Sequence, residues 1–193
     1  MYRFVKRFLD IVLAASLLLA LFPLFLGIAL LLLLTPPGRV FFSQKRIGKS
    51  DRVFKIYKFC TLFEVGGPTF SVGGLSPTPV GAVLRAWSLD ELPQLWNILK
   101  GDMSFVGPRP VVPEETTLLL RRRQLGAGNV RPGLTGLAQV RGRKTLTIED
   151  KARCDAYYCK EMSFFLDCYI VWRTLLCVHC KEKRNNKKTL TNP

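Results

Sequence analysis

Twenty-four consecutive residues, Ile11 to Leu34, carry no charge. Such a run must leave water, in a core or in a bilayer, and about 20 apolar residues are enough to cross one. Pro23 falls at its centre, where it removes a helix hydrogen bond and forces a kink. Both flanks are basic, with Arg3, Lys6 and Arg7 before and Arg39, Lys45 and Arg46 after. Flanking cations hold both ends on the cytosolic side, which favours a re-entrant hairpin; a kinked transmembrane helix remains open on these rules. The length of the run, and the lack of a small-x-small site after it, exclude a signal peptide. Residues 1–10 alternate cations with Phe4, Val5, Phe8 and Leu9, the pattern of an amphipathic lead-in at an interface.

The remaining length, out of 193 residues, suits one further domain. Twenty-nine basic against 14 acidic residues give a net charge of +15, which calls for an anionic partner. Hydrophobic residues make up 48% of the chain, so it is no disordered basic tail, and a membrane surface is the first candidate. His179 is the only histidine, which excludes Ser-His-Asp triads and leaves carboxylates as catalysts. The cysteines, Cys60, Cys154, Cys159, Cys168, Cys177 and Cys180, are too irregular for a disulfide framework. Cys177, His179 and Cys180 fall short of a four-ligand zinc site, so reduced thiols are expected.

Pro36-Pro37-Gly38 ends the apolar run. Val40 to Lys58 mixes aromatic, β-branched and basic residues around a turn at Gly48 to Asp51, and predicts a β-hairpin. Glu64 to Pro79 reads as a loop. Helices are expected over Val80 to Trp87, Ser88 to Lys100, Val111 to Gln124 and Thr147 to Cys159, the last opened by a capping box at Thr147 to Asp150. Leu137 to Val140 reads as a short strand, Ser163 to Val178 as an amphipathic helix, and 181–193 as a disordered basic tail. The expected class is α+β, mostly helical. Interfacial helices and a small hairpin surround a catalytic domain over 37–180, after a membrane segment over 1–36.

Chemistry concentrates between Leu84 and Pro110, where the adjacent pair Asp90-Glu91 lies between Arg85 and Arg109. Ser88 to Glu91 also fits a capping box, in which Glu91 would only start a helix. Against that, Pro93 sits too deep for a clean start at Ser88. Neighbouring carboxylates project differently, so one can attack an electrophile or hold a metal while the other orients it. Arg85, Arg109, Arg131 and Arg143 offer planar forks for phosphate. Gly101, Gly107, Gly133 and Gly136 let backbone N–H groups approach an anion. Hard oxygen ligands with phosphate as co-ligand imply Mg²⁺.

The motifs together resemble the monotopic phosphoglycosyl transferases, or bacterial sugar transferases. They are KRFLDI at Lys6 to Ile11, the Pro-broken helix, QKRIG at Gln44 to Gly48, KFCT at Lys58 to Thr61, and LR at Leu84-Arg85. The others are SLDELPQLWNILKGDMSFVGPRP at Ser88 to Pro110, RPGLTGLAQVRGR at Arg131 to Arg143, and DAYY at Asp155 to Tyr158. The resemblance covers most of residues 3 to 175. It implies transfer of a sugar 1-phosphate from a UDP-sugar to polyprenyl (undecaprenyl) phosphate, with release of UMP, at the cytosolic face of a bacterial inner membrane. It implies Asp90 as covalent nucleophile, Glu91 as its partner, and Mg²⁺ at both. Pro108-Arg109-Pro110 would lie near the nucleotide, with Lys58, Arg85 and Arg143 on phosphates, and the helix would be re-entrant. Membrane lipids would be partners and nucleic acid would not. Departures are Cys60 for an arginine, Leu62 for a methionine, Ala82 where an arginine is frequent, Phe22-Pro23 for Ser-Pro, and Ile148 for a tryptophan. Two other readings follow from charge and from those departures: a membrane-anchored binder of nucleic acid or anionic lipid, whose basic aromatic face would be Val40 to Lys58, and a scaffold that has lost catalysis.

Overall fold

The computed structural model describes residues 2–36, 38–64, 75–142 and 145–189, with the side chains of residues 64, 75 and 177–189 outside that description. The class is α+β and mostly helical. Two N-terminal helices, α1 (Tyr2–Ala20) and α2 (Phe22–Leu34), meet at a 61° bend. Among the described residues no single helix is long and apolar enough to cross a membrane; only α1 and α2 taken together, across the bend, meet that length and composition. The amphipathic lead-in is no separate element, because α1 runs unbroken from it into the apolar segment. Pro23 lies in the first turn of α2, where its missing N–H has no intrahelical partner to lose.

The next elements are the antiparallel hairpin of β1 (Phe41–Ile47) and β2 (Val53–Phe59), then β3 (Leu62–Glu64) paired antiparallel with β4 (Leu75–Pro77). That second pair corrects the expected loop over Glu64 to Pro79, since Glu64 and Leu75–Pro77 are strand residues in register with each other; residues 65–74 are outside the description. Helices α3 (Pro79–Ala86) and α4 (Gln94–Lys100) flank a 3-10 turn at Leu89–Glu91. Then come β5 (Ser104–Val106), α5 (Thr116–Gln124), β6 (Gly133–Thr135), α6 (Leu137–Gly142), α7 (Ile148–Glu161) and α8 (Phe164–Thr189).

Four other expectations change. Leu137–Val140 is helical, in α6, and the strand lies just before it as β6, parallel to β5. A four-residue segment, Leu137 to Val140, is too short for its pattern to separate strand from helix. Helix α5 starts at Thr116 rather than Val111: Val111 bridges Ile47 of the hairpin, and Pro113 follows before the chain can turn helical. Ser88 to Lys100 is not one helix, since Ser88 is left-handed (φ 58°) and Pro93 precedes α4. Helix α8 continues to Thr189, so 181–189 is helical where disorder is expected; Lys, Arg and Glu are good helix formers once a packed helix precedes them. The Thr147 cap forms as expected, its Oγ1 accepting the Asp150 N–H at 3.1 Å.

The α1–α2 pair is fastened to the rest by one face. Ala14 packs with Ile56, Leu95, Ile98 and Met103, while Ile28 and Leu32 pack with Phe59 and Leu84. The opposite face leaves Phe8, Leu19, Phe22 and Leu34 exposed. Polar contacts fix the start of α1. Lys6 donates to Asp167 at 2.7 Å, beside the Tyr2 hydroxyl on the same carboxylate. Arg7 donates to the carbonyls of Ile98 and Leu99 at the end of α4, and Asp10 accepts the Phe105 N–H. Two of the flanking cations thus serve as internal ties.

Candidate active site

The Asp90-Glu91 turn is built by an unusual backbone. Ser88 adopts the left-handed conformation, and Glu91 N–H bonds back to the Ser88 carbonyl at 3.2 Å. The Ser88 side chain forms no cap, so the capping-box reading fails. Pro93 then starts α4 in helical geometry, and Gly101 ends it at φ 93°, a conformation that favours glycine. Asn97, wholly buried in α4, bonds both the Tyr57 N–H and the Lys55 carbonyl of β2. That contact sets the hairpin beside the turn.

Asp90 is 8% exposed. Burial holds its carboxyl above the ordinary carboxylate range; Glu91 adds to this, while Lys58 and Arg85 oppose it. Lys58 reaches from β2 to Glu91 Oε1 at 2.6 Å. Both carboxylates face a cleft of about 1700 Å³, which also takes in Arg85, Arg109 and Pro110. Seven basic side chains line it against four acidic ones, so the cleft suits an anion larger than one phosphate. Its lining includes Thr35, Pro36 and Arg39, just after α2, with Phe42 and Phe63. It also includes Gln139 of α6, Lys151, and the buried pair Arg122–Asp155.

The sequence therefore brings Asp90, Glu91, Lys58, Arg85, Arg109 and Pro110 to one cleft. Pro108 is buried behind it, its carbonyl accepting the Gly133 N–H. Arg131 is not there: its Nε donates to the Gly101 carbonyl at 2.8 Å, and it lines a separate small cavity. Arg143 lies outside the described residues, as do the side chains of Cys177, His179 and Cys180. Cys60 lines the cleft and Ala82 does not.

Sequence reasoning missed Arg46. On β1 it shares a strand face with Phe42 and Gln44, and all three line the cleft. Its guanidinium donates to the Pro110 carbonyl at 3.3 Å and to Gln44 Oε1 at 2.8 Å, and its buried Nε has no partner among the described residues. The alternation of Phe42, Gln44 and Arg46 is the signal that could have found it. Reading the hairpin as uniformly basic hid which cations face inward.

The donor chemistry fits a hard divalent cation. Two adjacent carboxylates open on a cleft, and Mg²⁺ is commonly held by one or two carboxylates together with water and substrate phosphate. Among the described residues no three His, Cys, Asp or Glu side chains converge, so its other ligands would be of that kind.

Comparison with known proteins places the chain. The family model described as bacterial sugar transferase matches residues 1–181. A UDP-N-acetylgalactosamine-undecaprenyl-phosphate N-acetylgalactosaminephosphotransferase of Aeromonas hydrophila is 42% identical over 187 residues, covering 90% of this chain and 43% of that protein. The chain thus spans less than half of that relative's length. The exopolysaccharide production protein ExoY of Rhizobium meliloti is 41% identical, over 90% of this chain and 84% of its own. A UDP-glucose:undecaprenyl-phosphate glucose-1-phosphate transferase of Caulobacter vibrioides is 44% identical, over 88% of this chain and 68% of its own.

Proposed function

The chain belongs to the bacterial sugar transferase family, and on that premise we propose that it transfers a sugar 1-phosphate from a UDP-sugar to undecaprenyl phosphate. The observation that carries this reading is the buried Asp90 carboxylate beside Glu91 and Lys58, at the wall of a cleft in which cations predominate. Three relatives agree with it in kind, two being named for sugar-phosphate transfer to undecaprenyl phosphate and one for exopolysaccharide production.

The reaction runs in two displacements. An Asp90 carboxylate oxygen attacks the sugar-bearing phosphorus of the donor. The bond from that phosphorus to the bridging oxygen breaks, and UMP leaves with the oxygen and its electron pair. Asp90 then carries the sugar phosphate as a mixed anhydride. A phosphate oxygen of the acceptor attacks the same phosphorus and releases the Asp90 carboxylate, giving undecaprenyl diphosphate-sugar. Little acid–base chemistry is required, since both leaving groups are anions; positioning and charge neutralisation carry the rate. Asp90 and Glu91 would hold Mg²⁺, which when bound supplies neutralisation of the donor diphosphate. Lys58 holds Glu91, and Arg85 and Arg109 contact phosphate oxygens from either side. The acceptor enters past Thr35, Pro36 and Phe42, where the apolar helix pair delivers chain to the cleft. Asp90 is 8% exposed, so its carboxylate meets the donor with little competing water.

The test is UMP release by purified protein with undecaprenyl phosphate, Mg²⁺ and a panel of UDP-sugars. Turnover with at least one donor is expected. Folded protein that turns over none of them, and binds neither UMP nor any donor, would overturn the reading.

Two further results are expected. Arg46→Lys keeps a cation but loses the planar fork on Pro110, so the Arg109 segment loosens. KM for the donor should rise about tenfold, the cost of about 1.4 kcal/mol, with kcat changed less; a kcat loss at constant KM would contradict this role. The bent pair α1–α2 should enter the membrane from the cytosolic face and return to it. Single cysteines at positions 2 and 39 should then be labelled by impermeant thiol reagent only from that face. Labelling from opposite faces would replace the hairpin by a span.

A further inference from the structure

A second cavity shares no lining residue with the dyad cleft. It holds about 70 Å³, room for two waters at about 30 Å³ each or for one tetrahedral anion. Its walls join α1 to the body of the protein. Arg3, Lys6, Arg7 and Asp10 come from α1, Lys49 from the hairpin turn, and Arg131 from the segment before β6.

The charges there do not balance. Lys6 is answered by Asp167. That leaves Asp10 against Arg3, Arg7, Lys49 and Arg131, none of which forms an ion pair among the described residues. Arg7 and Arg131 donate instead to carbonyls of residues 98–101, at the C-terminal end of α4, where the helix dipole favours cations. Those bonds explain why two guanidiniums lie close together, yet they do not remove the repulsion. Burial and the Arg131 charge both push Arg7 below its ordinary value. Guanidinium forks with spare N–H groups, crowded around a space of this size, match the oxygens of a phosphate.

We propose that this cavity binds a phosphate group, which bridges the start of α1 to the Lys49 turn and to Arg131 and relieves the excess of positive charge between them. The phosphate can come from a phospholipid headgroup or from solution. Arg3 and Lys49 form the exposed rim, and Arg3 adjoins Phe4, which is 85% exposed. If α1 lies in a bilayer, that rim sits at headgroup level.

The experiment measures the thermal unfolding midpoint of the full chain in detergent, at matched ionic strength, in three media. These are chloride alone, inorganic phosphate, and short-chain phosphatidylglycerol below its micelle concentration. The wild type is compared with Arg3→Gln/Lys49→Gln, whose midpoint in chloride, equal to or above that of the wild type, shows that its fold is intact. In the wild type a rise of about 4 °C is expected at tenfold excess over Kd, and in the variant most of it should vanish. A rise with the lipid alone identifies the headgroup as the source, and a rise with phosphate alone identifies the free anion. Equal rises in wild type and variant would place the binding elsewhere and overturn the proposal, as would no rise in either medium.

Discussion

Asp90→Asn is expected to abolish sugar-phosphate transfer, by about 10⁴-fold or more as for other lost nucleophiles, and at neutral pH to raise the protein's stability. Both effects have one cause. The carboxylate is 8% exposed, and burial raises its pKa despite Lys58 and Arg85. A carboxyl whose folded pKa lies above its unfolded value binds more protons in the native state across that window. Stability is therefore lost as pH rises from the unfolded value through the folded one, and stays lost above it. An amide of the same shape removes that loss. The unfolding midpoint of Asp90→Asn should exceed the wild type at pH 7, and the two should converge towards pH 3. A variant less stable than wild type at pH 7 would mean that Asp90 is held for structure.

The second large effect concerns another part of the cleft lining. Arg122 donates Nε to Asp155 Oδ2 at 2.8 Å, with a second nitrogen at 2.6 Å, and Asp155 is 2% exposed. Arg122→Ala leaves a buried carboxylate with its counter-ion gone, which costs about 3–5 kcal/mol and lowers the midpoint by about 10 °C in a chain of this size. Burial already raises Asp155, with Arg122 pulling the other way. Without the arginine it rises further, so the deficit should be larger at pH 8 than at pH 5. Adding Asp155→Asn should recover part of it. Circular dichroism melts at both pH values decide this, and a loss under about 1 kcal/mol would show that water reaches the pair.

Much of this architecture could be read from the chain, for reasons visible in particular residues. The hairpin over Phe41 to Phe59, the helix after Thr147 and the break just before Pro23 each rest on local signals: alternation, a cap, and a proline that fits only the first turn of a helix. The cleft was legible around Asp90 because Arg85 and Arg109 flank it in sequence and Lys58 sits in a recognisable motif, whereas Arg39, Arg46 and Lys151 reach the cleft from farther along the chain. What failed was longer-range. Arg121, Arg122 and Arg123 are neighbours in sequence, yet they pair with Glu149, Asp155 and Asp51 respectively. Nothing local distinguishes the one that turns inward. Arg131 reads as a phosphate ligand by residue type, whereas the parallel pairing of β6 with β5 carries it to the end of α4. Gly133 and Gly136 were read as anion cradles. A Cβ at either would collide with the Gly107 backbone, so they are needed where the PRP segment crosses β6.

The claim at the centre is that Asp90 carries the sugar phosphate covalently. It is tested most directly by mixing wild type with each UDP-sugar and Mg²⁺, without acceptor, quenching, and measuring intact and peptide masses. The account predicts one sugar-phosphate adduct per chain, on the peptide that contains Asp90, with one equivalent of UMP. Turnover in the presence of acceptor with no adduct in its absence, retained in Asp90→Asn, would contradict it.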